Sequence, residues 1–270
     1  MNSSIPRRII QTSKSLDLPL LEKAAVANVR LLNPDFEYLF FDDRQVEEFI
    51  DKEFPEYRSV FDSFPIPIQR YDFFRYLAVY RHGGFYLDTD VFLASNLSEL
   101  LGFGCVFPFE ALTASRFLRT MFGMDWEVGN YAFGAAAGHP FIHAIIENCV
   151  RAQKDLDWAQ AMVKTVPRVF RKELFVLYTT GPWLVSRTFA EFPDLARQIK
   201  VLFPENVLDS TYWCRFGQFG VHLMKGEWRN PRGRFRRRLL RAWEALIMKS
   251  MLKDSAKLGK SRSLAFRRKV

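Results

Sequence analysis

Nine residues, Gly83-Gly84-Phe85-Tyr86-Leu87-Asp88-Thr89-Asp90-Val91, constrain this chain more than any others. They read as a helix stop, a short apolar strand and two carboxylates one residue apart. Side chains alternate along a strand, so the spacing predicts Asp88 and Asp90 on one side, about 7 Å apart. Two like charges at that distance repel unless a cation lies between them. A divalent metal carrying a diphosphate is the usual occupant, because hard cations take oxygen ligands and keep positions open for phosphate. A strand running into an Asp-rich turn has the same letters. The carboxylate pair alone leaves both readings open.

At 270 residues the chain holds one large domain or two small ones. Apolar residues make up 49% and Phe alone accounts for 27 positions, which predicts a sizeable core and argues against disorder. No apolar run approaches the roughly 18 residues of a membrane span, and residues 1–10 lack the apolar core of a signal peptide. Cys105, Cys149 and Cys214 are odd in number and widely spaced. They fit neither a disulfide framework nor a zinc knuckle, so a reducing cytoplasm is the simplest compartment. The net charge of +9 is uneven: residues 229–270 hold 15 Lys/Arg against Glu244 and Asp254, or +13, which leaves residues 1–228 at −4. A mildly acidic body argues against a nucleic-acid partner, for which positive charge lines the folded face.

The organisation is that of an α/β chain. Ile5 to Thr12 reads as a strand, Leu18 to Leu32 as a helix stopping at Asn33-Pro34, and Phe36 to Phe41 as a second strand. Asp42-Asp43 opens a helix through Ile50, completing a β-α-β-α start. Pro67 to His82 is a helix that begins at a proline and ends at Gly83, which suits the left-handed position after a helix. Further on, Cys105 to Phe109 reads as a strand, Tyr131 to Ala137 as a short apolar run, Pro140 to Lys154 as a helix and Asp157 to Arg171 as an ambiguous helical stretch. Gly181 to Phe192 reads as another helix and Lys200 to Phe203 as a late strand. Residues 1–228 form one expected domain, and 229–270 a basic tail.

Asp72 and Arg75 are three apart on the Pro67–His82 helix, so they share a face. One reading is an exposed ion pair worth about 0.3–0.5 kcal/mol. The other follows from connectivity: the helix feeds into the Asp88 strand, which places the pair near the strand's carboxyl end, where open α/β sheets bind ligands. A carboxylate there accepts sugar hydroxyls and an arginine binds phosphate.

Ile5-Pro6-Arg7-Arg8-Ile9-Ile10-Gln11-Thr12, Asn33-Pro34-Asp35-Phe36-Glu37-Tyr38, Tyr71-Asp72-Phe73-Phe74-Arg75-Tyr76 and Gly83 to Asp90 together resemble the successive motifs of one glycosyltransferase family. It is the DXD-containing sugar-transferase group, glycosyltransferase family 32, of yeast initiating α-1,6-mannosyltransferase-like proteins and bacterial capsule and lipopolysaccharide enzymes. The match is close over residues 5–95, with weaker echoes to about 230. The resemblance implies a GT-A fold, a Rossmann-like mixed sheet with flanking helices. It also implies transfer of a hexose from a nucleotide-diphosphate sugar, with retention and with Mn²⁺ or Mg²⁺, to a glycan or glycolipid acceptor. By the same resemblance Asp90 ligates the metal, Asp88 contacts ribose or sugar, and Asp72 and Arg75 grip the donor sugar. The Ile9–Gln11 strand end lines the base pocket with backbone groups. Ile10 and Ser13 depart from the aromatic residues of many relatives, so base stacking is not carried over there.

Later echoes extend the resemblance. Asn130, ahead of Gly138-His139-Pro140, faces the donor or acceptor sugar, and His222 completes the metal shell. By the same resemblance Trp228 either covers the diphosphate or simply packs, and Lys225 is a candidate to offset leaving-group charge. The local readings stand beside these. His139 is a helix N-terminal histidine held by local hydrogen bonds. In Thr180-Gly181-Pro182, Thr180 caps the following helix. Asp72 and Glu110 are candidates for a carboxylate beneath the sugar, although the resemblance favours front-face attack.

In residues 229–252, Arg229, Arg232, Arg234, Arg236, Arg237, Arg238 and Arg241 alternate with Phe235, Leu239, Trp243, Leu246, Ile247 and Met251. This cationic amphipathic pattern predicts a C-terminal helix on an anionic membrane surface, or one that packs on the body. Membrane docking suits a lipid-linked acceptor and a peripheral place on the inner, cytoplasmic face of the membrane. Two rival readings use the same residues. Asp88 also fits the nucleophile of a haloacid-dehalogenase-like phosphatase, although two β-α units precede it here. A non-catalytic membrane-associated binding module would treat Asp88–Asp90 as a turn.

Overall fold

The computed structural model describes residues 4–223 and, beyond them, 239–240, 242–243 and 245–247. The chain runs β1 (Arg8–Thr12), α1 (Leu20–Leu32), β2 (Glu37–Phe41), α2 (Asp43–Glu53), α3 (Arg58–Ser63) and α4 (Pro67–His82). Then come β3 (Gly84–Leu87), β4 (Val91–Leu93), β5 (Cys105–Leu112), α5 (Arg116–Phe122), β6 (Trp126–Val128), β7 (Ala132–Ala135) and α6 (Pro140–Lys154). Short helices α7 (Leu156–Gln160), α8 (Arg168–Arg171) and α9 (Phe175–Thr179) lead to α10 (Pro182–Glu191), α11 (Pro193–Ala196), β8 (Lys200–Leu202) and β9 (Gly220–His222).

Among the described residues the main sheet has the order β2-β1-β3-β7-β5-β6, with β8 on the other side of β5. β1 pairs in parallel with β2 and β3, and β5 with β8, while β7 runs antiparallel to both β3 and β5. The carboxyl ends of β1, β3, β5 and β8 therefore share one edge. Period-2 alternation sorts the strands onto two cores. Ile10, Tyr86, Cys105 and Phe107 join the larger cluster, built with Phe73, Phe74, Phe141 and Leu184 of α4, α6 and α10. Ile9, Phe85, Leu87 and Val106 point to the smaller one, with Val29 of α1, Val91 and Phe216.

The expected mixed α/β architecture is present, with helix ends where the local chemistry puts them. Asp42 caps α2 through a capping box with Gln45, and α4 runs from Pro67 to His82. Gly83 has positive φ, but its ψ of 179° makes it extended rather than left-handed helical. Asp157 to Arg171 is not one helix: α7 ends at Gln160, a 3-10 turn follows at Ala161–Val163, and Pro167 precedes the short α8. The expectation for residues 229–252 falls mostly outside the described residues. Of those described there, Leu240 is buried and the Trp243 ring lies 6.2 Å from that of Phe170.

Candidate active site

Beyond Leu87 the β3 ladder ends, since β1 pairs only as far as Tyr86 and β7 begins opposite Leu87. Asp88 and Asp90 accordingly sit in a turn closed by Val91 N–H donating to the Asp88 carbonyl at 3.0 Å, not on a strand. The expected reason for their convergence, strand alternation, is thus corrected: a turn and a neighbouring ribbon bring them together. β4 pairs antiparallel with β9, Val91 opposite His222. Leu223 N–H extends the ribbon by donating to the Asp90 carbonyl at 3.0 Å. His222 Nε2 then lies 3.2 Å from Asp90 and 4.0 Å from Asp88. One ligand atom from each of Asp88, Asp90 and His222 lies within 4.8 Å of the others.

Two carboxylate oxygens and an imidazole nitrogen form a donor set that could hold a divalent cation. His222 carries its own support: its ring stacks on Tyr131 at 4.4 Å, and its backbone N–H donates to the Cys214 carbonyl at 3.0 Å. Burial pulls the His222 pKa down, but the hydrogen bond its imidazole donates to Asp90 and the charges of Asp88, Asp90 and Glu110 outweigh it and raise it. Asp88 is pushed up by burial, against the pull of Arg75 and His222.

The Asp88 turn is tethered on every side. Asp88 N–H donates to the Tyr131 carbonyl at 2.7 Å. Gln11 Nε2 donates to the Leu87 and Asp88 carbonyls at 3.3 and 3.2 Å, while Tyr38 holds its other end at 2.8 Å. Tyr86 hydroxyl donates to Asp88 at 2.9 Å, and Thr89, between the two aspartates, donates to Glu22 of α1 at 2.7 Å.

α4 runs back against β3, which sets its middle beside the strand's carboxyl end. Arg75 reaches Asp88 at 3.3 Å and Asp72 at 3.2 Å, donates to the Asn130 carbonyl at 2.8 Å, and lies 4.6 Å over the Tyr86 ring. Asp72 accepts from Asn130 Nδ2 at 3.1 Å and from Thr180 hydroxyl at 2.9 Å. Both Asp72 and Arg75 are only 4% exposed, which removes the reading of an exposed ion pair. Burial drives the Asp72 pKa up against Arg75 and its hydrogen bonds. The same burial opposes the charge of Arg75, yet the Asp88 and Asp72 carboxylates keep its pKa raised. The pair is thus tied to itself, to Asp88 and to Asn130 and Thr180.

Thr180 was expected to cap α10. Its hydroxyl instead goes to Asp72, and Gly181 occupies the cap position without a side-chain bond. His139 does cap α6, its Nδ1 accepting from Phe141 N–H at 3.2 Å. The Ile9–Gln11 backbone is engaged in the sheet along both edges where it pairs. β1 is an inner strand, so Ile9 pairs with Tyr38 and Phe85, and Gln11 with Phe40. A hollow of about 480 Å³ does lie beside Ile9, against Ala27, Arg30, Phe36 and Tyr38. Trp228 and Lys225 lie outside the described residues. Sequence reasoning gave no role to Tyr86, Tyr131 or Glu22. For Tyr86 a signal existed, since it stands two residues before Asp88.

A mixed sheet with helices on both faces, bearing acidic ligands just beyond the carboxyl end of its third strand, is a GT-A architecture. Residues 19–106 match the family model of the glycosyltransferase sugar-binding region containing a DXD motif, and over that stretch the chain is similar to the DXD-containing sugar transferases. Inositol phosphoceramide mannosyltransferase 3 of Schizosaccharomyces pombe is 29% identical over 76% of this chain and 51% of its own length. Mannosyl phosphorylinositol ceramide synthase SUR1 of Saccharomyces cerevisiae is 32% identical over 51% of this chain and 32% of its own. The chain thus spans about half the length of the first of these relatives or less. The solved structure of PaToxG glycosyltransferase aligns over 78% of this chain and 73% of its own, with a TM-score of 0.50 and 15% identity, a likeness of fold.

Among the described residues no helix is long and apolar enough to cross a membrane.

Proposed function

We propose that this chain transfers a hexose from a nucleotide-diphosphate sugar to a glycan or glycolipid acceptor, with retention, using Mn²⁺ or Mg²⁺. The observation that carries this reading is the convergence of Asp88, Asp90 and His222 beside the buried Asp72–Arg75 pair. Asp90 and His222 are the proposed metal ligands, with Asp88 shared between the metal and the donor's ribose or sugar. A bound divalent ion supplies Lewis-acid stabilisation of the diphosphate leaving group. Arg75 orients Asp88 and favours its ionised form against the burial that raises its pKa, and Tyr86 fixes one of its oxygens. Asp72 and Thr180 set the amide of Asn130, which we assign to the sugar side of the site. Charge develops on the leaving oxygen as the bond to the anomeric carbon breaks, so preorganised charge here is the main catalytic contribution. We favour front-face attack, the leaving phosphate taking the acceptor's proton.

The relatives' names concern inositol phosphoceramide, which supports a lipid-linked sugar as acceptor. The basic residues of 229–252 support peripheral association with the inner face of a membrane, with residues 1–228 as the catalytic domain. The phosphatase alternative, with Asp88 as nucleophile, is disfavoured because Arg75 and Tyr86 already hold that carboxylate. The non-catalytic alternative leaves the convergence of three ligating groups without a purpose.

The test is a panel of UDP- and GDP-sugars with Mn²⁺, scored by thermal shift and donor hydrolysis. At least one donor is expected to give a metal-dependent response. No response to any of them would overturn the reading.

A further inference from the structure

β3 and β5 pair with β7 from its two sides, and the register sets their relative height. Leu87 stands opposite Ala132 and Val106 opposite Gly134, which brings Pro108 level with Leu87. Asp88, one residue past that rung, and Glu110, two past it, therefore share the carboxyl edge of the sheet. Gly129–Tyr131 lies between them: Gly129 N–H donates to the Pro108 carbonyl at 3.0 Å, and the Tyr131 carbonyl accepts from Asp88 N–H at 2.7 Å. Asp72, the other carboxylate considered for a place beneath the sugar, meets Asp88 through Arg75 of α4. Glu110 stands on the opposite side, beyond Tyr131 of the smaller core.

The fold holds the Glu110 carboxylate at this corner. Gly129 makes room for it, since a Cβ there would lie 2.5 Å from Glu110 Oε2 and 2.7 Å from the Tyr131 ring. The Cys214 thiol donates to Glu110 Oε1 at 3.9 Å and the Cys214 N–H to the Glu110 carbonyl at 3.3 Å, while the Cys214 carbonyl accepts from His222 N–H at 3.0 Å. Cys214 has a φ of 55°, a left-handed backbone uncommon in a residue with a side chain; such conformations cluster at functional sites. The Tyr131 ring stacks on His222 at 4.4 Å, and its hydroxyl is buried with no hydrogen-bond partner among the described residues. Burial and then the charge of Glu110, ahead of that of Asp88, raise the Tyr131 pKa, which locates that hydroxyl on the Glu110 side. A third carboxylate near Asp88 and Asp90 adds like charge to the site, an arrangement met where chemistry uses it.

We propose that Glu110, with the Tyr131 hydroxyl beside it, binds hydroxyl groups of the acceptor, a sugar or other polyhydroxylated ring. A carboxylate accepts hydrogen bonds from neighbouring ring hydroxyls and a phenol O–H donates one, so the pair suits a ring that offers both donors and acceptors. The two groups take no proton in the reaction. They orient the ring so that its reacting hydroxyl faces a donor held at Asp88, Asp90 and His222, the three groups that converge within 4.8 Å. The inference rests on the proposed transfer and deepens it, by naming the residues that meet the acceptor and the chemistry they recognise.

The test is transfer to methyl hexosides and to myo-inositol, with Mn²⁺ and the donor that the full chain hydrolyses, in the parent and in Glu110→Gln and Tyr131→Phe. Both substitutions keep the side-chain shape, and Tyr131→Phe keeps the ring on His222. Glu110→Gln is expected to raise the acceptor KM about tenfold or more, and Tyr131→Phe to raise it by a smaller factor. Glu110→Asp, which keeps the charge, is expected to recover part of the loss. The Mn²⁺-dependent thermal shift is expected to persist in all three variants, and circular dichroism establishes that they fold. An unchanged acceptor KM in either Glu110→Gln or Tyr131→Phe overturns the proposal. Loss of the Mn²⁺ shift in Glu110→Gln also overturns it, by making Glu110 part of the metal site. A parent chain that hydrolyses the donor but transfers to none of these polyols overturns it too, and leaves the donor reading standing. Absence of donor hydrolysis by the parent is the distinct outcome that defeats the transferase reading and this inference with it.

Discussion

Thr180 and Asn130 each supply a hydrogen bond to Asp72, a carboxylate that has almost no access to water. Thr180→Val keeps the shape and removes one donor. It is expected to cost about 1–3 kcal/mol of stability in chemical denaturation, the penalty for a buried acceptor left short of a partner. The same variant is expected to lower donor turnover, because Asp72 also holds the Asn130 amide. Asp90→Asn differs: it changes little in the metal-free fold but removes a ligand charge. It is expected to abolish the Mn²⁺-dependent thermal shift and turnover while the circular dichroism spectrum stays that of the parent. Retention of full metal-dependent activity by Asp90→Asn would displace Asp90 from the metal. At this scale the sequence showed the carboxylates, since paired Asp residues announce themselves by type and spacing. It did not show Thr180, whose letters T-G-P spell a helix start. The partner that redirects its hydroxyl lies 108 positions away.

At the scale of elements, α4 and β3 form one device. The helix ends at Gly83 and the strand starts at Gly84, so the antiparallel return sets Arg75 level with Asp88. Gly84 makes the close return to β1 possible. Its φ is +104°, and a Cβ there would lie 2.6 Å from the Arg8 carbonyl oxygen. Gly84→Ala is expected to lower stability by at least about 1–3 kcal/mol from backbone strain alone, readable as a shifted denaturation midpoint. It is expected to weaken metal binding as well, because β3 is what aims the Asp88 turn. The helix and strand were legible in advance, since proline at the start, glycine at the end and an apolar run between are local signals. The turn at Asp88 was not. Continued extension of β3 depends on partners in β1 and β7, and where those strands stop is a property of the assembled sheet.

For the whole molecule, metal and protons compete for the same groups. Asp88 and His222 both have raised pKa values in the metal-free protein. A group whose pKa is raised on folding contributes stability below its unfolded pKa, about 4 for Asp and 6.5 for His. That contribution is lost as pH rises through the folded value. A divalent ion requires the deprotonated ligands. The rise in melting temperature caused by Mn²⁺ is therefore expected to be larger near pH 8 than near pH 6, and thermal shift at both pH values checks it. An equal shift at the two would mean that no ligand titrates in this range. The sequence by itself determined the β-α order, the helix ends and the identity of the carboxylates, because these follow from local propensity and period. Only the tertiary structure decided which groups meet: His222 crosses to Asp90 through the β4–β9 pairing, and Asp72 turns inward to Thr180 and Asn130. Those contacts join residues tens to more than a hundred positions apart, and packing around the sheet, not local preference, brings them within bonding distance.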